Sequence, residues 1–106
     1  MIVPGSASQE LSAALASELD EPLAAVEYDR FADGEMLVRV PETDERAIVV
    51  ASTVSDTAHV ELLQLQDAAR SRAEEVVTVL PYMGYARQDE AFEDGQPVSA
   101  RAVARA

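Results

Sequence analysis

Two short apolar runs bracket an amphipathic segment, and this arrangement constrains the fold more than any other feature of the sequence. Ala47-Ile48-Val49-Val50 sits in a strand expected over Arg46 to Ala51, and Glu75 to Leu80 reads as a second buried strand. Continuous apolar runs of this kind belong to strands covered on both faces, because a half-exposed strand would alternate apolar with polar. Between them, Thr57 to Arg72 has the spacing of a helix, with Val60, Leu62, Leu63, Leu65 and Ala68 forming a broad apolar face. A polar turn, Ser52 to Asp56, leads into it. Strand, helix, strand with bare apolar strands argues a parallel sheet covered by helices.

The remaining segments fit the same class. Met1 to Pro4 is a short strand ending at the turn signal Pro4-Gly5. Ser6 stands three residues before Gln9, the spacing of a capping box. Leu11, Ala14, Leu15 and Leu19 then predict an amphipathic helix over Ala7 to Leu19, with that stripe on the core. Leu23 to Tyr28 and the alternating Met36 to Val40 are further strands, with the turn signal Asp33-Gly34 before the latter. After a long loop, Pro81 to Gln96, Pro97 opens a last helix running to Ala106. No Gly cap or Pro stop closes that helix, which suggests a portion of something longer. The order β-α-β-β-β-α-β-loop-α predicts an α/β sandwich with a mostly parallel sheet. Ligands of such sheets sit beyond the carboxyl ends of the strands, here Ser52 to Thr57 and Pro81 to Gln96.

Charge and composition exclude several functions. With 106 residues the chain is one domain at most. Its formal net charge of −12, with no Lys among its cations, disfavours nucleic acid and anionic lipid as partners. The longest uncharged stretch, Val76 to Ala86, is 11 residues, too short to span a bilayer, and no secretory signal is visible at Met1-Ile2-Val3. A cytoplasmic domain is expected. Zero cysteines exclude disulfides and thiolate metal sites. Acids spread along the whole chain, balanced only by Arg, are what a salt-in halophile would carry, although an acidic protein from a GC-rich genome would look similar.

Three constellations could carry chemistry. In Arg30-Phe31-Ala32-Asp33-Gly34-Glu35, an aromatic beside two carboxylates can stack a flat ring and accept hydrogen bonds from its amino group. The same residues also fit a plain hairpin turn with solvated acids. In Pro81 to Asp89, Gly84 permits close backbone approach, Arg87 can stack on a base or bind phosphate, and Gln88 can donate to either. The alternative is a packed loop whose tyrosines, Tyr82 and Tyr85, cover the sheet edge. The third, His59, is the only histidine; without further suitable ligands it reads as a helix histidine rather than a metal ligand, and no metal site is expected within the chain.

Several segments together resemble the N-terminal half of the ribose-phosphate diphosphokinases, also called phosphoribosyl pyrophosphate (PRPP) synthetases. Phe31-Ala32-Asp33-Gly34-Glu35 is similar to that family's Phe-x-Asp-Gly-Glu. Ser52-Thr53 with Glu61-Leu62-Leu63 and Asp67-Ala68 resembles its second helix region. Pro81 to Asp89 resembles Pro-Tyr-x-Gly-Tyr-Ala-Arg-Gln-Asp, and Pro97 to Arg101 resembles Pro-Ile-Ser-Ala-Lys. With the composition, the likeness is to a halophilic archaeal member.

The resemblance implies a three-layer α/β/α, phosphoribosyltransferase-like (Rossmann-like) domain. It implies transfer of the β,γ-diphosphoryl group of ATP to ribose 5-phosphate, giving PRPP and AMP for nucleotide, His and Trp biosynthesis, with Mg²⁺ held by residues beyond Ala106. It also implies a homo-oligomer with the adenine at a subunit interface. Phe31 would stack on adenine, Asp33 and Glu35 would meet its amino group across the Gly34 turn, and Arg87 of another subunit would cover the opposite ring face, with Gln88 towards the phosphates. The family's metal-binding, catalytic and ribose-phosphate residues lie beyond Ala106. Where the family carries basic residues after Asp89, this chain has Glu90-Ala91-Phe92-Glu93-Asp94, acids that repel ATP unless salt or Mg²⁺ screens them. The other function considered is a truncated, non-catalytic paralogue acting as a regulatory or assembly module.

Overall fold

The apolar run at 47–50 is the central strand of the molecule, with a strand on each edge and helices on its two faces. The computed structural model describes all of residues 1–106. Its elements are β1 (Ile2–Pro4), a 3₁₀ turn (Ser6–Ser8) leading into α1 (Gln9–Glu18), β2 (Glu27–Arg30), β3 (Met36–Arg39), β4 (Arg46–Val50), α2 (Asp56–Arg70), β5 (Glu75–Val79) and α3 (Ser99–Arg105). The element order is the one the sequence predicts. β1, β4 and β5 form a wholly parallel sheet in the order β1-β4-β5, with Ile2 opposite Ile48 and Ile48 opposite Val77.

Alternation along β4 divides the core into two layers. Ala47, Val49 and Ala51 join Val3 on one face, packed under Leu62, Leu65 and Ala69 of α2 and under Val38 and Val40 of the β2–β3 hairpin. Ile48 and Val50 join Ile2 on the other, against Leu15 and Ala16 of α1. The helices fall on opposite faces because the two crossovers run in opposite directions across the sheet, through α1 from β1 to the Leu23 edge and through α2 from β4 to β5. After α1 the chain returns along the outer edge of β1, where Ile2 N–H donates to the Pro22 carbonyl and Ala24 N–H to the Ile2 carbonyl, each at 2.8 Å. Only later does it enter β4 on the other side. Right-handed connections running in opposite directions put their helices on opposite faces. The result is the expected three-layer α/β arrangement.

Local expectations differ from the structure in several places. The strand expected over Leu23 to Tyr28 forms at Glu27–Arg30, and Leu23 makes only an isolated bridge to Ile2. β2 and β3 pair antiparallel in a hairpin separate from the parallel sheet. Most of the expected core stripe of α1 faces outward: Leu11 is 43% and Leu19 56% exposed and Ala14 is exposed, and only Leu15 packs on the core, beside Ser8, Ser12 and Ala16, which lie four residues apart and face the sheet. Short side chains there let the helix lie close on Ile2 and Val50. The Ser6–Gln9 capping box does not form. The Ser6 hydroxyl donates to Glu61, and the Gln9 amide donates to the Ser6 carbonyl.

On α2, Ser55 caps the N-terminus by accepting from Ala58 N–H at 3.1 Å; Leu62 and Leu65 are buried as the pattern predicts, Leu63 and Ala68 are half-buried, and Ala69, outside that pattern, is buried as well. Val60, assigned to the same face, is 47% exposed. β5 is not the doubly covered strand its composition suggests; it is an edge strand, with Val79 40% exposed. The last helix begins at Ser99 rather than at Pro97. No helix is long and apolar enough to cross a membrane.

Candidate functional site

The β2–β3 turn is shaped by its own backbone and by Asp33. Phe31 N–H donates to the Glu35 carbonyl at 2.7 Å and Gly34 N–H to the Phe31 carbonyl at 2.9 Å, while the Asp33 carboxylate accepts Glu35 N–H at 3.0 Å. Such carboxylate-to-backbone bonds favour tight turns at Asp. Gly34 has φ +90°, a conformation that other side chains resist. Arg30 reaches across to the Gly34 carbonyl at 2.7 Å. With the turn locked, the Phe31 ring stands 55% exposed.

Beneath that ring is a pocket of about 420 Å³. The hairpin supplies Arg30, Phe31, Gly34 and Glu35, Met36 and Leu37 continue its wall, and α2 supplies Thr57, Val60 and Gln64. The sequence reading found the hairpin side and missed the helix side. Its signal was nevertheless present: Thr57, Val60 and Gln64 recur at the i, i+3, i+7 spacing of one helix face, and an exposed Val on a face otherwise assigned to the core is explained by this pocket. Asp33 does not line the cavity; its carboxylate is spent on the turn.

Arg87 and Gln88 lie elsewhere. Both are exposed on the loop after β5, and neither lines the Phe31 pocket. The loop is anchored at Gly84, whose N–H donates to the Thr53 hydroxyl at 2.9 Å, while Thr53 N–H donates to the Tyr82 carbonyl at 2.9 Å. A Cβ on Gly84 would overlap the Thr53 carbonyl, so the close approach expected of this glycine is present. Tyr85, with φ +64°, donates its hydroxyl to Asp56, and the neighbouring carboxylate raises the phenol pKa. The Gln88 side-chain carbonyl accepts the Ser99 hydroxyl, tying the loop to the start of α3.

A buried polar cluster lies at the carboxyl end of β1. Glu61, 5% exposed, accepts Ser6 N–H at 2.6 Å and the Ser6 hydroxyl at 2.7 Å. Tyr28 donates to the Pro4 carbonyl; burial, with the Glu61 charge adding to it, pushes its phenol up to about 12. Met1 ammonium bonds Glu21 at 3.1 Å and Asp44 at 3.0 Å, and its hydrogen bond lowers the Asp44 pKa. His59 lines a cavity of about 220 Å³ between α2, Leu80, Met83 and α3. No group of three or more His, Asp or Glu side chains is arranged to hold a metal ion. The Phe31 pocket thus sets an aromatic ring and apolar side chains beside the Glu35 carboxylate.

Comparison with known proteins agrees with the fold. The family model of the N-terminal domain of ribose phosphate pyrophosphokinase matches residues 1–106. The chain is 63% identical to a ribose-phosphate pyrophosphokinase of Halobacterium salinarum over 100% of its length and 39% of that protein's. It is 48% identical to one of Methanopyrus kandleri, over 100% of this chain and 38% of the relative. A crystal structure of phosphoribosylpyrophosphate synthetase from Mycobacterium smegmatis superposes with a TM-score of 0.80 at 31% identity, covering 99% of this chain and 37% of that one. The chain therefore spans well under half the length of each of these relatives.

Proposed function

The chain belongs to the family of ribose phosphate pyrophosphokinase N-terminal domains, and from that premise we propose that it supplies the adenine-holding part of an ATP site. The reaction of the whole polypeptide is diphosphoryl transfer. The anomeric hydroxyl oxygen of ribose 5-phosphate attacks the β-phosphorus of ATP, the bond from that phosphorus to the α,β-bridging oxygen breaks, and AMP leaves as the hydroxyl gives up its proton. Such transfers depend on positioning and charge neutralisation. This chain contributes positioning. Mg²⁺ belongs to the same proposal, held by residues outside this chain.

The single observation that carries the reading is the exposed Phe31 ring above a pocket walled by Met36, Leu37 and Val60 and edged by Glu35. The apolar wall suits a heteroaromatic ring, and the Glu35 carboxylate suits its exocyclic amine. Asp33 acts in this proposal through the turn it holds, and Gly34 through the φ that the turn requires. Arg87 of the same chain does not line the pocket. A guanidinium from a second copy closes the ring sandwich in this reading, with Gln88 near the phosphates. The protein then works as a homo-oligomer.

The test is complementation between variants of the whole polypeptide. Stacking contributes roughly 1–3 kcal/mol per partner. Phe31→Ala and Arg87→Ala should therefore each weaken ATP binding about tenfold or more. Mixing the two weakened variants should rebuild sites that contain both residues and restore part of the activity lost at limiting ATP. If subunits exchange and nothing is restored, the intersubunit assignment is wrong. The 106-residue chain alone should release no AMP from ATP with ribose 5-phosphate and Mg²⁺.

A further inference from the structure

Gln64 is the only side chain that lines the Phe31 pocket and also hydrogen-bonds the backbone of the strand leaving it. Its carbonyl accepts Val38 N–H at 3.1 Å, and its amide NH₂ donates to the Met36 carbonyl at 2.9 Å. A carbonyl at one residue and an N–H two residues on are the pair that β3 would offer to a third strand. Gln64 thus stands in for one residue of a missing strand. Because one backbone group is a donor and the other an acceptor, the amide has one orientation that satisfies both.

The hairpin needs such a tether. Two-stranded hairpins are marginal on their own, and this one is not laddered to the parallel sheet. Val38 and Val40 anchor its far part in the core. Nearer the turn, Met36 is only half-buried and Leu37 is exposed. The Gln64 bonds to Met36 and Val38 therefore act where the core hold on β3 gives way to the exposed turn. We propose that Gln64 is a positioning residue for the nucleotide pocket: by fixing β3 against α2 it sets the gap between the Phe31 ring and the Thr57–Val60 wall. The proposal deepens the adenine-site reading and rests on it.

The experiment compares Gln64→Met, Gln64→Glu and Phe31→Ala in the whole polypeptide, with ATP and Mg²⁺ as the probe. Methionine keeps the length of Gln64 and removes both bonds; glutamate keeps an acceptor for Val38 N–H and, when ionised, loses the donor to Met36. Gln64→Met should weaken ATP about tenfold, corresponding to roughly 1.4 kcal/mol. It should leave the KM for ribose 5-phosphate and kcat at saturating ATP unchanged, and it should speed hydrogen exchange at the Val38 amide. Gln64→Glu should fall between Gln64→Met and wild type.

A parallel loss of affinity for both substrates would mark Gln64 as a general packing residue and overturn the proposal, as would failure of both Gln64 variants to fold. Wild-type ATP affinity in Gln64→Met, with Phe31→Ala impaired, overturns the positioning role alone. Wild-type affinity in Phe31→Ala overturns the pocket assignment itself.

Discussion

Gly84 leaves no room for any side chain, since a Cβ there would run into a backbone carbonyl that cannot swing aside. Gly84→Ala must move either its own loop or the Thr53 segment between β4 and α2, and overpacking of this kind costs about 1–3 kcal/mol. For a domain of this size each kcal/mol lowers the melting temperature by about 4–8 °C, a change that thermal denaturation followed by circular dichroism would detect; an unchanged melt would mean the loop yields freely. Tyr28 gives a second test at the same scale. Its phenol ionises at about 12 in the folded protein against the ordinary 10.0, because burial and Glu61 both oppose a negative charge. A folded-state pKa above the unfolded value makes a stabilising contribution that is complete below about pH 10 and lost as pH rises towards 12. Stability should fall across that window, and Tyr28→Phe should flatten the fall. Equal slopes in both proteins would remove Tyr28 from the account.

Among the elements, α1 is the most instructive because, Leu15 apart, its expected leucine stripe and its core face disagree. The sheet receives Ser8, Ser12 and Ala16, while Leu11 and Leu19 face outward. Leu11→Gln should therefore change stability by no more than about 0.5 kcal/mol, whereas Ala16→Leu should cost about 1–3 kcal/mol by forcing the helix off Ile2 and Val50. The reverse ranking in denaturant melts would reinstate the leucine stripe as the core face. Periodicity identified this helix but not its buried side, because close approach to a sheet rewards small residues that hydropathy scores as neutral. β4 and the core face of α2 were legible for the opposite reason: bulky aliphatics such as Val49 and Leu65 have nowhere to go but inside. The candidate site divides the same way. The turn from Phe31 to Glu35 announces itself through Asp33-Gly34, a local signal. Gln64 and Glu61 act through partners 26 and 55 residues away, and no local pattern marks which polar side chain on α2 will find a backbone group to bond.

For the whole molecule, a net charge of −12 on 106 residues is a repulsion that every folded arrangement must carry. Only four ion pairs offset it, two of them through the Met1 ammonium. Salt shortens the range of such repulsion to roughly 3 Å at molar strength, from about 10 Å at a tenth of that. The melting temperature should therefore rise between dilute buffer and molar KCl, and equal values would show that the acids are too far apart to strain the fold. The open edge of β5 gives the same ions a second, contrary effect. In the 106-residue chain the outer edge of β5, at Val77 and Val79, has no strand beside it and is a template for another molecule's strand, and mutual repulsion is what keeps two such edges from meeting. Each increment of salt that steadies one molecule also lowers the barrier between two. Colloidal and conformational optima must then lie at different ionic strengths, and concentrated stocks will become turbid under the conditions where dilute ones melt last.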